Sequence, residues 1–111
     1  MAKFEVVIRT QFIAFHRWKD APEEHKYLRD LHRHTFGVVA KKPVVHGDRD
    51  IEFIHLKNQV NKFIDLIAKQ KKAEFYSCEH WAEQIANEFK FSQVEVNEDG
   101  ENGAIYTRGA R

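Results

Sequence analysis

The chain has 111 residues, 42% of them hydrophobic and 13% aromatic, enough for one hydrophobic core and too few for two. Its 18 basic residues against 17 acidic ones leave a net charge of +1, so no overall field points to nucleic acid or to an anionic membrane surface. Cys78 is the only cysteine, which excludes an internal disulfide, and no apolar stretch approaches the roughly 20 residues that span a bilayer. "MAKFEVVIRT" also lacks the uninterrupted apolar run of a signal peptide. We therefore expect a single domain, residues 1–111, of a soluble cytoplasmic protein.

Residues 4–18, "FEVVIRTQFIAFHRW", are rich in β-branched and aromatic types with partial alternation, and predict a first strand. "KDAPEEHKYLRD", with Pro22 and dense charge, predicts an exposed loop. Residues 31–40, "LHRHTFGVVA", predict a second strand. After Pro43 and Gly47 the period changes: Phe53, Leu56, Val60, Phe63, Ile64 and Ile67 recur at helical spacings and make one apolar stripe. A second helix follows, with Ser77 as N-cap, Glu79 in its first turn, and Trp81, Ala82, Ile85, Ala86 and Phe89 on one face. "FSQVEV" and "AIYTR" return to strand character around the turn-rich "NEDGENG". The order ββααββ defines an α+β domain with two helices on one face of an antiparallel sheet.

On a strand, side chains at i and i+2 share a face, so His32 and His34 project together. His16 lies near the end of the first strand, where a hairpin connection brings it opposite the pair. Three imidazoles on one face would make an open three-ligand metal site, with a fourth position for water or substrate. The same spacing also fits histidines that simply pack or hydrogen-bond on a sheet, and the spacing alone leaves both readings open. His25, His46, His55 and His80 fall in loops or on helices, where solvated side chains are expected.

"FIAFHRW…HK…LHRHTF", "DIEFIHLKNQV", "CEHWAEQI" and "VEVNEDGENGAIYTRG" resemble, in that order and over nearly the whole chain, the 6-pyruvoyltetrahydropterin synthase and 6-carboxytetrahydropterin synthase family. Its members read approximately A-A-H-R-L, H-K-C-x-x-L-H-G-H, D-F-x-x-L-K, P-T-x-E-x-x-A and V-x-V-x-E-T. The resemblance implies the tunnelling fold, assembled as a homohexamer of two trimers with active sites at subunit boundaries. It also implies zinc as cofactor, with His16, His32 and His34 as its ligands, and a pterin-like small molecule as substrate. Glu98 falls at the position whose carboxylate accepts the paired N–H groups of the pterin edge. Glu79 falls on the glutamate of the P-T-x-E block, a second substrate-binding position, although "YSCE" replaces the usual Pro-Thr. Without the resemblance, Glu98 reads as a turn residue and Glu79 as a carboxylate favouring a helix N-terminus.

The chain departs from the family in its acid–base groups. The catalytic cysteine before the H-x-H pair is missing from "HKYLRDLHRH", and the Asp-His dyad is missing from "DLIAKQKKAEFYSCEH". Arg33 stands where the family has glycine, and on an alternating strand it points away from the metal face. Tyr27, Asp30 and His55 are the remaining candidates for a general base, with Asp30 and His55 retained as candidate catalytic residues. Cys78, at the head of the second helix, is expected to be buried rather than nucleophilic. Two functions are thus expected. One is a zinc-dependent, lyase-type enzyme of tetrahydrobiopterin or queuosine biosynthesis, acting on a dihydroneopterin triphosphate-like substrate. The other is a non-catalytic zinc- and pterin- or purine-binding protein. A different purine-like substrate with different chemistry is a further alternative.

A four-stranded sheet backed by two helices leaves open edges, which the family closes by trimerisation. Light scattering at micromolar concentration should return a mass near that of a hexamer. A clean monomer would remove the boundary at which the active site is expected.

Overall fold

In the computed structural model, which describes residues 3–109, the N-terminal alternating run forms β1 (Glu5–His16) and the histidine pair opens β2 (His32–Pro43). Two helices follow, α1 (Phe53–Ala68) and α2 (Cys78–Phe89), then β3 (Gln93–Glu98) and β4 (Gly103–Thr107). The strands form one antiparallel sheet in the order β1-β2-β3-β4. This is the expected ββααββ α+β architecture.

Strand parity explains the layering. Even-numbered Ile8, Phe36, Val38, Ala40, Val94 and Val96 are buried on one face of the sheet, and α1 lies against β1 while α2 lies against β3 and β4. Leu56, Val60 and Ile64 of α1 join Trp81, Ala82, Ile85 and Ala86 of α2 and the strand residues in one core. Phe12 stacks on Phe36 at 5.2 Å between ring centroids and tilts against Trp81 at 4.9 Å. Burying each such large apolar side chain stabilises the fold by about 1.5–3 kcal/mol. Phe53, expected on the apolar stripe, is instead 55% exposed because it starts α1 three residues before the first buried position. Among the described residues, no α-helix covers the odd-numbered face, which exposes Ile13, Phe15 and Ile105.

Caps and turns complete the frame. Ser77 Oγ accepts the His80 N–H at 3.1 Å, as its residue type predicts. Glu52 caps α1 by accepting the N–H groups of Ile54 and His55 at 3.0 and 2.8 Å. The segment expected as a loop between β1 and β2 contains a 3-10 turn, Glu23–Arg29, and a second one, Lys71–Phe75, precedes α2. The β3–β4 connection puts Asp99 and Gly100 at φ 58° and 75°, and the Glu101 N–H donates to the Glu98 carbonyl at 3.0 Å. Two positive φ values closed by that bond make a type I′ turn, the geometry that Asp-Gly favours. Among the described residues, no helix is long and apolar enough to cross a membrane.

The two hairpin glycines answer to different constraints, and their substitutions should differ accordingly. A Cβ at Gly103 would lie 2.1 Å from the Val96 carbonyl oxygen, whereas one at Gly100 meets nothing within 4 Å and only strains a left-handed backbone. Gly103→Ala should therefore cost on the order of 3 kcal/mol by overpacking against backbone, and Gly100→Ala about 1 kcal/mol. Urea midpoints of the two variants measure this. Equal losses would contradict the packing described for Gly103.

Candidate metal centre

The β1–β2 register pairs His16 with His32 and Ala14 with His34. All three histidines sit on the even, core-side face, at the end of the sheet where β1 stops and β2 starts. Their rings pack edge to face, with centroids 4.6, 5.2 and 5.0 Å apart for the His16–His32, His16–His34 and His32–His34 pairs. One ligand nitrogen from each lies within 4.8 Å of the other two. Phe36, two residues further along β2, backs the cluster 5.1 Å from the His16 ring.

Each ring is turned by an oxygen acceptor. His16 Nδ1 donates to the Tyr76 carbonyl at 3.0 Å, and His32 Nδ1 donates to the Asp30 carbonyl at 2.8 Å. His34 Nδ1 donates to Asp99 Oδ2 at 2.7 Å. An oxygen of this kind can only accept, so each Nδ1 carries a proton, and in the neutral form of such a ring the lone pair is on Nε2. Backbone carbonyls and a carboxylate in these positions are the outer partners that fix ring orientation and raise the basicity of metal-bound histidines. The donor set therefore fits a metal, and the three histidines could hold one.

Local structure explains where these acceptors come from. The Arg17 N–H donates to the Glu74 carbonyl at 2.7 Å, tying the end of β1 to the 3-10 turn before α2 and bringing Tyr76 beside His16. Arg29 Nε donates to the Ala21 carbonyl at 2.8 Å and folds the loop that presents Asp30 to His32. The type I′ turn presents Asp99, whose Oδ1 also accepts the Thr35 N–H at 2.9 Å. That bond, with the one from His34, holds the Asp99 carboxyl below its ordinary pKa, so it stays ionised. Burial lowers the pKa of His16, and the neighbouring His32 and His34 act in the same direction, against the Tyr76 bond and Glu98. A proton is thus a poor occupant of the His16 Nε2.

Glu98 shares the even parity of Val94 and Val96 and so faces the histidines. Its Oε2 lies 3.2 Å from His16 Nε2 and its Oε1 3.5 Å from His34 Nε2. His16, His32, Glu98 and Glu79 line a cleft of about 480 Å³ whose apolar walls include Trp18, Leu28 and Phe75. The structure thus brings the three candidate ligands and both candidate substrate carboxylates to one place.

Other candidates are placed differently. Cys78 lines the same cleft, but burial, with the charges of Glu98 and Glu79 adding to it, pushes its thiol up to about 12. Desolvation outweighs the helix N-terminus, and the sulfur stays protonated. Asp30 serves His32 through its backbone carbonyl, and Tyr27 is 68% exposed on the loop. The His55 N–H is bound by its cap Glu52, which lines a separate cleft with Phe4 at the start of β1, and β1 carries the chain roughly 36 Å from that end of the sheet to His16. Within one chain His55 does not reach the cleft. Asp99, Tyr76 and Trp18 were not marked by the sequence. Only Asp99 carried a signal, and that signal was for the turn.

The chain matches no family model and no curated protein. The centre therefore rests on its own geometry.

One divalent metal per chain should bind to purified protein, and the double variant His32→Ala/His34→Ala should lose it, by elemental analysis; unchanged metal content would remove the centre. Asp99→Asn should keep the fold and weaken metal binding about 10- to 100-fold, because the amide is a poorer acceptor for the His34 Nδ1 proton. Competition against a chromophoric chelator reads that ratio.

Proposed function

We propose that the chain binds zinc through His16, His32 and His34 and processes a pterin-like ligand in the adjoining cleft, as a divergent relative of the 6-pyruvoyl- and 6-carboxytetrahydropterin synthases. The observation that carries this reading is the common orientation of the triad. Every Nδ1 is spent on an oxygen, which leaves the three Nε2 atoms to converge beside Glu98 and a cleft of about 480 Å³ that holds two carboxylates. Three neutral imidazoles form the protein ligand set of a catalytic zinc, with one position kept for water or substrate. Bound there, zinc would polarise an oxygen of the ligand's side chain.

The chain's own groups suit a flat heterocycle. Trp18, Leu28 and Phe75 supply apolar walls, and the Glu98 carboxylate can accept two parallel N–H bonds from a guanidine-like edge. With Glu98 so engaged, Glu79 is the remaining carboxylate among the lining residues, and we assign proton transfer to it in place of the missing cysteine and dyad. Assembly as a hexamer fits the outer edge of the 12-residue β1, the edge of β4, and the exposed Ile13, Phe15 and Ile105.

A second reading, binding without turnover, is favoured by one observation: the thiol in the cleft is buried and shares it with Glu98 and Glu79, surroundings that keep its proton on. Dihydroneopterin triphosphate separates the two. With zinc saturating, Glu98→Gln should weaken its binding about 30- to 1000-fold, because a charge-assisted pair is lost and a mismatched donor faces the ligand. Consumption of the bound compound by the wild type, abolished in Glu79→Gln with binding retained, supports the enzyme. Binding with no consumption leaves the binder. If no pterin binds at all, the pterin assignment fails.

A further inference from the structure

The Glu98 carboxylate has two oxygens set against two imidazole nitrogens, 3.2 Å from His16 Nε2 and 3.5 Å from His34 Nε2. Both rings spend their Nδ1 proton elsewhere, on the Tyr76 carbonyl and on Asp99. Each ring therefore turns its Nε2 toward a carboxylate oxygen, an arrangement that a cation held between them makes favourable. The carboxylate has not been steered there by another partner. Among the described residues its charged contacts are these two histidines, while the Glu98 backbone is held by β3 and by its bond to the Asn102 carbonyl at 2.8 Å.

Building on the zinc reading above, we infer that Glu98 is a fourth, displaceable ligand of the metal, completing a three-histidine, one-carboxylate set when the cleft holds no heterocycle. Carboxylate oxygen and imidazole nitrogen are both accepted by zinc, and four donors close its preferred tetrahedron. The consequence is a coupling between ligand entry and metal availability. A heterocycle whose N–H edge takes the Glu98 carboxylate removes it from the metal, and the fourth position opens only when a substrate of the right edge chemistry is present. Glu98 would then act as a gate as well as an anchor, and the metal would not stand open to water between visits.

Cobalt(II) makes the ligand set visible. Titrated into metal-free wild-type chain, it should give the intense visible absorption of a four-coordinate site. Glu98→Gln should still take one cobalt per chain, with affinity weakened at least about tenfold and with altered band positions and intensity. Adding 7,8-dihydroneopterin to the wild-type cobalt protein should shift its spectrum, and the same addition should leave the Glu98→Gln spectrum unmoved. Identical spectra and affinities for wild type and Glu98→Gln would overturn the fourth ligand while leaving the triad standing. A wild-type spectrum that stays unchanged although dihydroneopterin is shown to bind would overturn the gate. No cobalt on the wild type would overturn the triad itself, and the assignment with it.

Discussion

The site depends on one register. Because His16 of β1 pairs with His32 of β2, the two-residue period of the strands places all three imidazoles on the same face at the same end of the sheet. A slip of one residue between β1 and β2 would disrupt the opposition of His16 and His32 and the core packing together. The buried even-numbered residues hold the register, since Ile8, Phe36, Val38 and Ala40 would lose their places against the helices. Hydrophobic burial and the convergence of the three imidazoles are thus enforced by the same pairing.

Around that pairing, each histidine is finished by a different part of the chain. The turn before α2 brings the Tyr76 carbonyl, the loop after β1 brings the Asp30 carbonyl, and the β3–β4 turn brings Asp99. These acceptors choose the tautomer, and the tautomer turns a cluster of histidines into a set of lone pairs. Burial adds to this at His16, whose charged form is disfavoured. The same desolvation acts on Cys78 in the opposite chemical sense, keeping its proton on. One environment thus leaves imidazole free to ligate and thiol unable to attack.

Much of the frame was legible in the residues, because strands and helices announce their periods. The alternation in "FEVVIRTQFIAFH", the stripe from Leu56 to Ile67 and the Ser77 cap all have local causes, and the structure repeats them. His32 and His34 were legible as a pair for the same reason, whereas Glu98 was marked only through the family resemblance and otherwise read as a turn residue. The contacts that make the site were not. His34 meets Asp99 across 65 positions of sequence and His16 meets the Tyr76 carbonyl across 60, and no local propensity encodes such distances. Asp99 could be read only as a turn residue, because its φ of 58° is local and its bond to His34 is not. The reach of His55 was likewise a tertiary matter, decided by the length of β1.

The central claim is that all three histidines present Nε2 as a lone pair because each Nδ1 is protonated and bonded to oxygen. Long-range proton–nitrogen correlation spectra of the imidazole rings, recorded on zinc-loaded protein, report the tautomer of each ring directly. The account predicts an Nδ1-bound proton and a metal-shifted Nε2 for His16, His32 and His34. A protonated Nε2 on any of the three would contradict it.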